Sequence, residues 1–271
     1  MHKAKSEHYT NDFYNSTRNY SRQSAEVIVP LVLDLFSCKQ VVDVGCGDGT
    51  WLKIFQKYGV EEVLGIDGDY IDTKILQIPQ NNFISFDLNK EFKVDRKFDL
   101  VISLEVGEHL PETCADTFID CLINLGSVVL FSAAIPNQYG PGHVNEQWQE
   151  YWANKFYQRG YIAIDYIRKK VWSDERVAYW YSQNALLYIE RGYLQENLAL
   201  KQKINGYQVP DYSSISLVHP TLYLIKLGLS DFWKAEETEE PKAHNPAKLR
   251  SMGQYKRFLS YIVKIAKTFF N

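Results

Sequence analysis

Several features that mark whole classes of protein are absent from the sequence. No apolar run approaches the roughly 20 residues that a membrane-spanning helix needs. The four cysteines form no CxxC pair and have no histidine at zinc-finger spacing, so we expect reduced thiols. Residues 1–12 are polar and mixed in charge, unlike a signal peptide. We therefore expect a soluble, cytoplasmic protein that is not exported.

Neither sign of charge dominates the chain. It has 30 lysines and arginines against 33 aspartates and glutamates, a formal net charge of −3. This balance does not indicate the broad positive surface with which a protein binds nucleic acid. Apolar residues make up 45% and charged residues 23% of the 271 residues, which excludes wholesale disorder and allows a full hydrophobic core. The 19 tyrosines and 6 tryptophans favour a pocket for a flat or sugar-like ligand.

Short apolar runs alternate with helix-length stretches in the first two thirds of the chain. The pattern predicts strands at residues 41–44, 62–66, 83–86, 98–104 and 127–132. Helices are predicted at residues 24–36, 51–58, 70–76 and 111–125. Two further strands, at residues 161–167 and 185–189, form a predicted pair at the sheet edge. The predicted fold is a Rossmann-like, doubly wound α/β fold, with a mostly parallel seven-stranded sheet, helices on both faces and a C-terminal helical extension.

The predicted organisation has three parts, an N-terminal helical segment, an α/β core and a C-terminal extension, at residues 1–37, 38–191 and 192–271. Residues 136–152 follow the fifth strand and are the predicted substrate lid. Residues 241–271 carry lysine and arginine but no carboxylate side chain, and residues 255–270 alternate basic and apolar residues at near-helical spacing. Such a basic amphipathic helix either packs on its own domain or binds an anionic membrane surface or a protein partner.

A glycine-rich turn follows the first predicted strand. The sequence from Asp43 to Gly49 reads DVGCGDG, and its glycines let the backbone pass close to a ligand with φ values that a Cβ would penalise. The turn opens a helix whose N-terminal N–H groups point at whatever lies above the sheet. It differs from the dinucleotide pattern GxGxxG, because the third glycine comes one position earlier and an acid precedes the first glycine by two.

Acids also follow the second and third predicted strands. Asp67 ends the second, where a carboxylate can accept both ribose hydroxyls of a nucleoside. Asp87, followed by Leu88, ends the third and is placed to meet an adenine. With Asp43, these acids stand at three strand ends that face the crevice where open α/β sheets bind ligands.

The glycine turn and the three acids together resemble the class I S-adenosylmethionine-dependent methyltransferases. The resemblance covers about residues 38–191 and implies S-adenosylmethionine as cofactor, with its amino-acid part over the turn, its ribose on Asp67 and its adenine beside Asp87. The implied cofactor-binding residues are Asp43, Gly45, Cys46, Gly47, Gly49, Asp67, Asp87 and Leu88. A nicotinamide-binding Rossmann domain and a glycine turn without a ligand are the alternatives.

An ExxEH motif, formed by Glu105, Glu108 and His109, follows the fourth predicted strand. If one helical turn follows the strand, the three side chains share a face, since offsets of three and four coincide on a helix. Two carboxylates and an imidazole that converge on a cleft bind a divalent cation or form an acid–base cluster. We predict these three residues to be catalytic.

The ExxEH motif resembles that of ubiquinone-pathway O-methyltransferases and of the enzymes that methylate the 2′-hydroxyl at small-RNA 3′ ends. The resemblance implies a site for Mg²⁺ or Mn²⁺ formed by Glu105, Glu108 and His109, with His143 as the one well-placed downstream candidate. The sequence around His143 does not look like that of the RNA enzymes. A metal-free site in which His109 is a general base is equally compatible with the residues.

Aromatic and amide side chains recur in and after the predicted lid. Asn145 is a candidate helix cap, with Glu146 in the first turn of that helix. The predicted acceptor-binding residues are Asn145, Trp148, Tyr151, Trp152 and Tyr181. The stretch from His143 to Trp152 resembles that of bacterial methyltransferases of the sugar and surface-polysaccharide kind.

The sequence thus predicts methyl transfer to a hydroxyl of a small molecule, a sugar, nucleotide sugar or surface-polysaccharide precursor. Two alternatives stay open. One is 2′-O-methylation of RNA, which needs a basic groove that the net charge of −3 does not indicate. The other is a non-catalytic binding module that uses the cofactor fold, although Glu105, Glu108 and His109 would then have no purpose.

Overall fold

The computed structural model describes residues 11–228, and its centre is one seven-stranded sheet. The strands are β1 (Gln40–Val44), β2 (Glu62–Asp67), β3 (Phe83–Ser85), β4 (Leu100–Leu104), β5 (Val128–Ser132), β6 (Tyr161–Ile164) and β7 (Leu186–Glu190). Their order is β3-β2-β1-β4-β5-β7-β6, in which β1 to β5 are parallel and β7 runs antiparallel to both of its neighbours, β5 and β6. The predicted Rossmann-like α/β fold is confirmed.

Helices cover both faces of the sheet, which is why strands β1, β4 and β5 are almost entirely buried. The α-helices are α1 (Asn11–Leu33), α2 (Thr50–Lys57), α3 (Ala115–Leu125), α4 (Gln149–Gln158), α5 (Tyr166–Val171), α6 (Tyr179–Asn184), α7 (Arg191–Glu196), α8 (Leu198–Lys203) and α9 (Pro220–Lys226). Short 3-10 helices lie at Thr73–Ile75, Gln80–Asn82, Gly107–His109, Glu112–Cys114 and Tyr212–Ser214.

Helix α1 is longer than the predicted helix at residues 24–36. It begins at Asn11 and contains Pro30. Proline has no N–H to donate to the carbonyl of Glu26, and the Tyr58 hydroxyl lies 3.5 Å from that carbonyl oxygen. The missing bond falls near the end of the helix, so the preceding turns are unaffected and extend toward the carboxyl edge of the sheet.

The predicted helix at residues 70–76 is wrong. The chain forms only one 3-10 turn there, at Thr73–Ile75. The Asp72 side chain accepts a hydrogen bond from the N–H of Lys74 at 3.0 Å, and a local bond of this kind competes with helix formation. The predicted helix at residues 111–125 is a 3-10 turn followed by α3.

The last two strands are not a tight hairpin. Strand β7 pairs with both β5 and β6, and helices α5 and α6 lie between β6 and β7 in the chain. The predicted strand at residues 161–167 ends at Ile164 because Asp165 precedes α5. The edge of β6 is covered where Asp165 N–H donates to the Tyr207 carbonyl at 2.8 Å and Val209 N–H to the Ala163 carbonyl at 3.1 Å.

The chain divides into two units, residues 1–223 and 224–271. The sheet and helices α1 to α8 belong to the first unit. The basic segment at residues 241–271, with its predicted amphipathic helix at residues 255–270, lies outside the described residues. Among residues 11–228, no helix combines the length and the apolar character needed to cross a membrane. The three-part division at residues 37 and 191 stays a prediction.

Candidate active site

A cleft of about 1430 Å³ lies at the carboxyl ends of the first four strands. It exceeds the roughly 300–1,000 Å³ of an ordinary ligand pocket, so it has room for two reactants. The predicted site residues that line it are Asp43, Gly45, Cys46, Gly47, Asp67, Asp87, Leu88, Glu105, Glu108, His109, His143 and Tyr181. The cleft therefore brings most of the predicted cofactor residues and all of the predicted catalytic residues together.

The glycine turn has the strained backbone that its sequence predicts. Gly45, Gly47 and Gly49 all have positive φ, at 88°, 53° and 79°. A Cβ on Gly45 would lie 2.3 Å from a methyl carbon of Val106, so a side chain there would collide with the loop after β4. The N–H groups of Gly45 and Cys46 donate to the Ile66 carbonyl at 2.7 and 3.3 Å, which closes the turn against β2.

Asp67 joins the glycine turn to the end of β2. One carboxylate oxygen accepts a hydrogen bond from the N–H of Gly47 at 2.7 Å. The other accepts from the N–H of Gly68 at 2.6 Å and from the Tyr70 hydroxyl at 2.5 Å. The Tyr70 ring lies so close over Gly68 that a Cβ at residue 68 would be 2.0 Å from it. Tyr70 is thus a site residue that the sequence alone did not indicate.

The end of the cleft at the glycine turn and Asp67, where the sequence predicts the methyl donor, is strongly acidic; we call it the donor end. Burial raises the pKa of Asp43 well above its ordinary value, and the negative charges of Asp67 and Asp48 raise it further. Asp48 accepts from the N–H and hydroxyl of Thr50 at 3.0 and 2.6 Å, and it pairs with Arg18 Nε at 2.6 Å. Arg18 comes from α1, 30 residues earlier, so no local pattern could have identified it.

The ExxEH residues do not share one helical face. Glu105 has a φ of +55° and stands directly after β4, whereas Glu108 and His109 belong to the following 3-10 helix. Three potential ligand atoms lie within 4.8 Å of one another, one from each of Glu108, His109 and His143. We call these three residues the Glu–His–His cluster. Glu105 is not part of it, and this corrects the predicted four-residue arrangement.

The carboxylate of Glu108 is the least satisfied group in the cluster. It is fully buried, and neither carboxylate oxygen has a hydrogen bond of ordinary geometry; the backbone N–H groups of Glu108 and Ala134 only partly offset the effect of burial. His143 Nε2 lies 3.9 Å from one of these oxygens, which is too far for a hydrogen bond. Burial raises the pKa of Glu108 well above its ordinary value, and the negative charge of Glu105 adds to the shift. Such a carboxylate, beside two imidazoles, is a fitting set of ligands for a divalent cation.

Glu146 fixes the orientation of the His143 ring. One of its carboxylate oxygens lies 2.7 Å from Nδ1 of His143, which leaves Nε2 facing Glu108. Glu146 also accepts the N–H groups of Asn137 and Tyr139, both at 2.7 Å. A carboxylate behind a metal-binding histidine is a common supporting contact in metal sites.

Asn145 and Glu146 therefore do not begin a helix as predicted. Helix α4 starts only at Gln149, with Trp148 as its N-terminal flanking residue. The reason is that Glu146 holds the loop before it, while the N–H of Asn145 donates to the carbonyl of Glu108 at 3.0 Å.

Glu105 has a different environment from Glu108. It is half-buried, lines the cleft and accepts hydrogen bonds from Gln138 Nε2 at 2.8 Å and Asn184 Nδ2 at 3.2 Å. Burial of its carboxylate raises the pKa of Glu105 to about 7, although hydrogen bonds from Ser132, Asn184 and Gln138 oppose this shift. Neither amide was predicted to contact Glu105, since they lie 33 and 79 residues away along the chain.

Four of the five predicted acceptor-binding residues do not line the cleft. Trp152 is 2% exposed and packs on Phe131 with ring centroids 5.2 Å apart. Tyr151 lies against Trp152, Trp148 is exposed on the surface, and Asn145 is buried in the loop. Helix α4 buries Trp152 and Phe156 in the core, so the structure does not bring the five predicted acceptor-binding residues together. Tyr181 does line the cleft, and the neighbouring aromatic residues that line it are Tyr139, Tyr179 and Trp180.

The model of the family described as "Methyltransferase domain" matches residues 16–172, more than half of the chain. No curated protein matches. Among solved structures, the methyltransferase domain of bacterial CtHen1-C is similar at 22% identity, with 62% of this chain and 97% of that chain covered and a TM-score of 0.46.

Two further solved structures are similar to this chain. One is magnesium protoporphyrin IX methyltransferase from Synechocystis PCC 6803 with bound S-adenosylmethionine, at 21% identity, with 63% of this chain and 79% of that chain covered and a TM-score of 0.46. The other is an O-methyltransferase family protein from Burkholderia thailandensis, at 15% identity, with 66% and 58% covered and a TM-score of 0.48.

Proposed function

Since the chain belongs to the methyltransferase-domain family and is an S-adenosylmethionine-dependent methyltransferase, we propose that it methylates a hydroxyl oxygen with the help of a divalent cation. The observation that carries the proposal is the buried carboxylate of Glu108, which has no hydrogen bond of ordinary geometry and stands beside His109 and His143. Leaving a charged group in this state is costly. A cation bound by the Glu–His–His cluster would remove that cost.

The residues at the donor end of the cleft fit S-adenosylmethionine. Burial raises the pKa of Asp43 most, and the negative charges of Asp67 and Asp48 raise it further, so cationic groups are favoured beside these carboxyl groups. The donor has a sulfonium, an ammonium and two ribose hydroxyls, which are cationic or hydrogen-bond-donating groups. We assign the ribose to Asp67 and the adenine to the region of Asp87 and Leu88, which line the same cleft.

A bound Mg²⁺ or Mn²⁺ would lower the pKa of an acceptor hydroxyl and orient it. The chain itself contributes ligand groups from Glu108, His109 and His143, and Glu105 faces the same cleft. Without a cation, His109 is the group we assign to accept the hydroxyl proton. In either case the acceptor oxygen displaces the donor sulfur from the methyl group, which leaves S-adenosylhomocysteine, and the hydroxyl proton passes to His109 or, with a cation bound, to solvent.

The lining of the cleft favours a small acceptor over RNA. Within residues 11–228, lysine and arginine contribute only Arg18 and Lys90 to the lining, and both pair with aspartates at the donor end. RNA binding depends on lysine and arginine contacts to phosphates. Aromatic side chains of Tyr179, Trp180 and Tyr181 suit a sugar-like compound instead. We propose a sugar or a glycan precursor as acceptor, and the predicted cytoplasmic location and tail contacts stay predictions.

The test measures S-adenosylhomocysteine release with a panel of simple glycosides, nucleotide sugars and a short RNA. We expect turnover with a sugar-like hydroxyl, loss of turnover in EDTA and recovery with Mg²⁺ or Mn²⁺. Glu108→Gln should abolish the metal-dependent rate, whereas Glu112→Gln, at an exposed residue that lines the same cleft, should not. Full activity in EDTA would overturn the metal assignment, and salt-sensitive turnover of RNA alone would overturn the sugar assignment.

A further inference from the structure

Glu105 is held by two amide side chains rather than by the Glu–His–His cluster. We propose that Gln138 and Asn184 are positioning residues that aim the Glu105 carboxylate into the cleft, where it accepts a hydrogen bond from the acceptor hydroxyl and does not ligate the metal. This inference rests on the proposed function for the identity of the acceptor group, but not for the place of Glu105 itself.

The two glutamates of the motif have opposite environments. Both carboxylate oxygens of Glu105 accept an amide hydrogen bond, one from Gln138 at 2.8 Å and one from Asn184 at 3.2 Å. Both carboxylate oxygens of Glu108 are buried and accept no hydrogen bond of ordinary geometry. A carboxylate already satisfied by neutral donors has less to gain from a cation than one with no donor. The hydrogen bonding therefore separates a hydroxyl-binding role for Glu105 from a metal-binding role for Glu108.

The orientation of the two amides is fixed by further hydrogen bonds. The Gln138 side-chain oxygen accepts from Gln183 Nε2 and Asn184 Nδ2, both at 3.0 Å, and from the N–H of Ile135 at 3.3 Å. The Asn184 side-chain oxygen accepts from Gln183 Nε2 at 3.1 Å. Because each oxygen is occupied by N–H donors, each NH₂ group must face Glu105. Gln138, Gln183 and Asn184 are 8%, 0% and 2% exposed, so water competes little for these bonds.

Backbone strain is concentrated at the same place. Within the described chain, the non-glycine residues with positive φ are Glu105, Asn137 and Tyr139, at 55°, 66° and 61°. Two of them flank Gln138, and the third is the residue whose carboxylate Gln138 holds. Left-handed backbone is unfavourable for such residues and persists where the surroundings enforce it, often at functional sites.

Glu146 connects the positioning of Glu105 to the positioning of His143. Its carboxylate accepts the N–H groups of Asn137 and Tyr139, the two strained residues around Gln138, and it also contacts His143 Nδ1. One loop thus presents an amide to Glu105 and an imidazole to the cluster. Packing alone does not require strained backbone on both sides of Gln138, whereas positioning of its side chain does.

The first test compares metal binding by variants of the full chain, with Mn²⁺ alone as the probe. Glu108→Gln should weaken Mn²⁺ binding by about 10-fold or more, because it removes a ligand. Glu105→Gln should leave the Mn²⁺ affinity within about 3-fold of wild type, and Glu105→Ala should do the same if the amide variant unfolds. Equal losses at both glutamates would show that Glu105 is a ligand and would overturn the proposal.

The second test is a double-mutant cycle between Gln138 and Glu105. We expect Gln138→Met to lower kcat by about 10-fold or more, with little change in KM for the donor or in thermal stability. In a Glu105→Ala background the same change should have almost no further effect. Gln147→Met is the matched control, since Gln147 lies in the same loop and its amide contacts Asn145 instead. Equal losses in both backgrounds would contradict a positioning role.

The two tests separate this inference from the proposed function. Absence of methyl transfer by the wild-type chain with every acceptor would refute O-methylation, while the Mn²⁺ comparison would still decide whether Glu105 is a ligand. Methyl transfer with a normal kcat in Gln138→Met would leave O-methylation intact and refute the positioning role.

Discussion

His143 Nδ1 lies 2.7 Å from a carboxylate oxygen of Glu146, and this contact turns the opposite ring nitrogen toward Glu108. The same carboxylate accepts two backbone N–H groups of its loop. Glu146 therefore sets both the path of the loop and the direction of the imidazole.

We expect Glu146→Gln to weaken Mn²⁺ binding by about 10- to 100-fold, the usual effect of removing a supporting carboxylate. Glutamine keeps one acceptor oxygen and turns its NH₂ group toward the other backbone N–H, so the variant removes the charge behind the imidazole and one of the two hydrogen bonds to the loop. Calorimetric titration with Mn²⁺ measures the effect. Glu150→Gln, four residues further along, is the control and should bind Mn²⁺ like wild type; an unchanged affinity in Glu146→Gln would contradict the role of Glu146.

A second prediction concerns Tyr70, whose hydroxyl donates to Asp67 at 2.5 Å. A carboxylate has about four acceptor positions, and Gly47 and Gly68 use two others. In the proposed donor assignment, two ribose hydroxyls must therefore compete with Tyr70 for Asp67. We expect Tyr70→Phe to bind S-adenosylhomocysteine about 2- to 10-fold more tightly, because this competition is worth a fraction of one hydrogen bond.

Calorimetry with S-adenosylhomocysteine checks the Tyr70 prediction, and two further variants calibrate it. Asp67→Ala should lose most of the affinity, since it removes the ribose acceptor. Tyr58→Phe, whose hydroxyl contacts Glu26 on the outer surface, should show no change. Weaker binding by Tyr70→Phe would mean that the phenol contacts the donor directly.

The sheet and the donor end of the cleft were predictable because their signals are local. Buried strands are continuous apolar runs, and the glycine turn with its acids occupies fixed places at strand ends. Asp43, Gly45 and Asp67 accordingly line the cleft as predicted. Their roles in donor binding stay proposals, which the binding experiments test.

The part of the cleft around Glu105, where we place the acceptor, was less predictable because its contacts join segments that are distant in the sequence. Gln138 and Asn184 meet Glu105 across 33 and 79 residues, which no local spacing can reveal. Trp152 was predicted to bind the acceptor but is buried in the core. An aromatic residue in a helix can pack in a core or bind a ligand, and only the orientation of α4 shows which of the two occurs. The left-handed φ of Glu105 also broke the helical face expected for the ExxEH motif.

A third prediction concerns pH and the stability of the metal-free protein. Burial raises the pKa of Glu108 well above its ordinary value of 4.5. A carboxyl group whose pKa is raised by folding is most favourable to the folded state while protonated. The group therefore lowers the free energy of unfolding progressively as the pH rises from about 4.5 toward the raised pKa. We expect Glu108→Gln to be more stable than wild type at pH 8 in EDTA, by about 1–3 kcal/mol.

Urea unfolding at pH 8 and at pH 5 measures the Glu108 prediction. The stability difference should shrink at the lower pH, where the wild-type carboxyl is protonated in the folded state. Adding Mn²⁺ at pH 8 should stabilise wild type but not Glu108→Gln. A stability difference that is the same at both pH values would show that the charge of Glu108 is not its cause.

The fourth prediction uses Gly140, over which the His143 ring lies. A Cβ on Gly140 would be 2.2 Å from His143 Nε2, the ring nitrogen that faces Glu108. The backbone of Gly140 does not have a positive φ, so alanine is conformationally permitted and only the ring has to move.

We expect Gly140→Ala to displace the imidazole and weaken Mn²⁺ binding by about 10-fold or more. Binding of S-adenosylhomocysteine at the donor end should stay within about 2-fold of wild type, because the displaced ring is not part of that end. Gly192→Ala, where a Cβ would lie 4.0 Å from a carboxylate oxygen of Glu190, should change neither affinity. Parallel titrations of both ligands decide the matter, because loss of both affinities in Gly140→Ala would indicate a general collapse of the cleft instead of a displaced ligand.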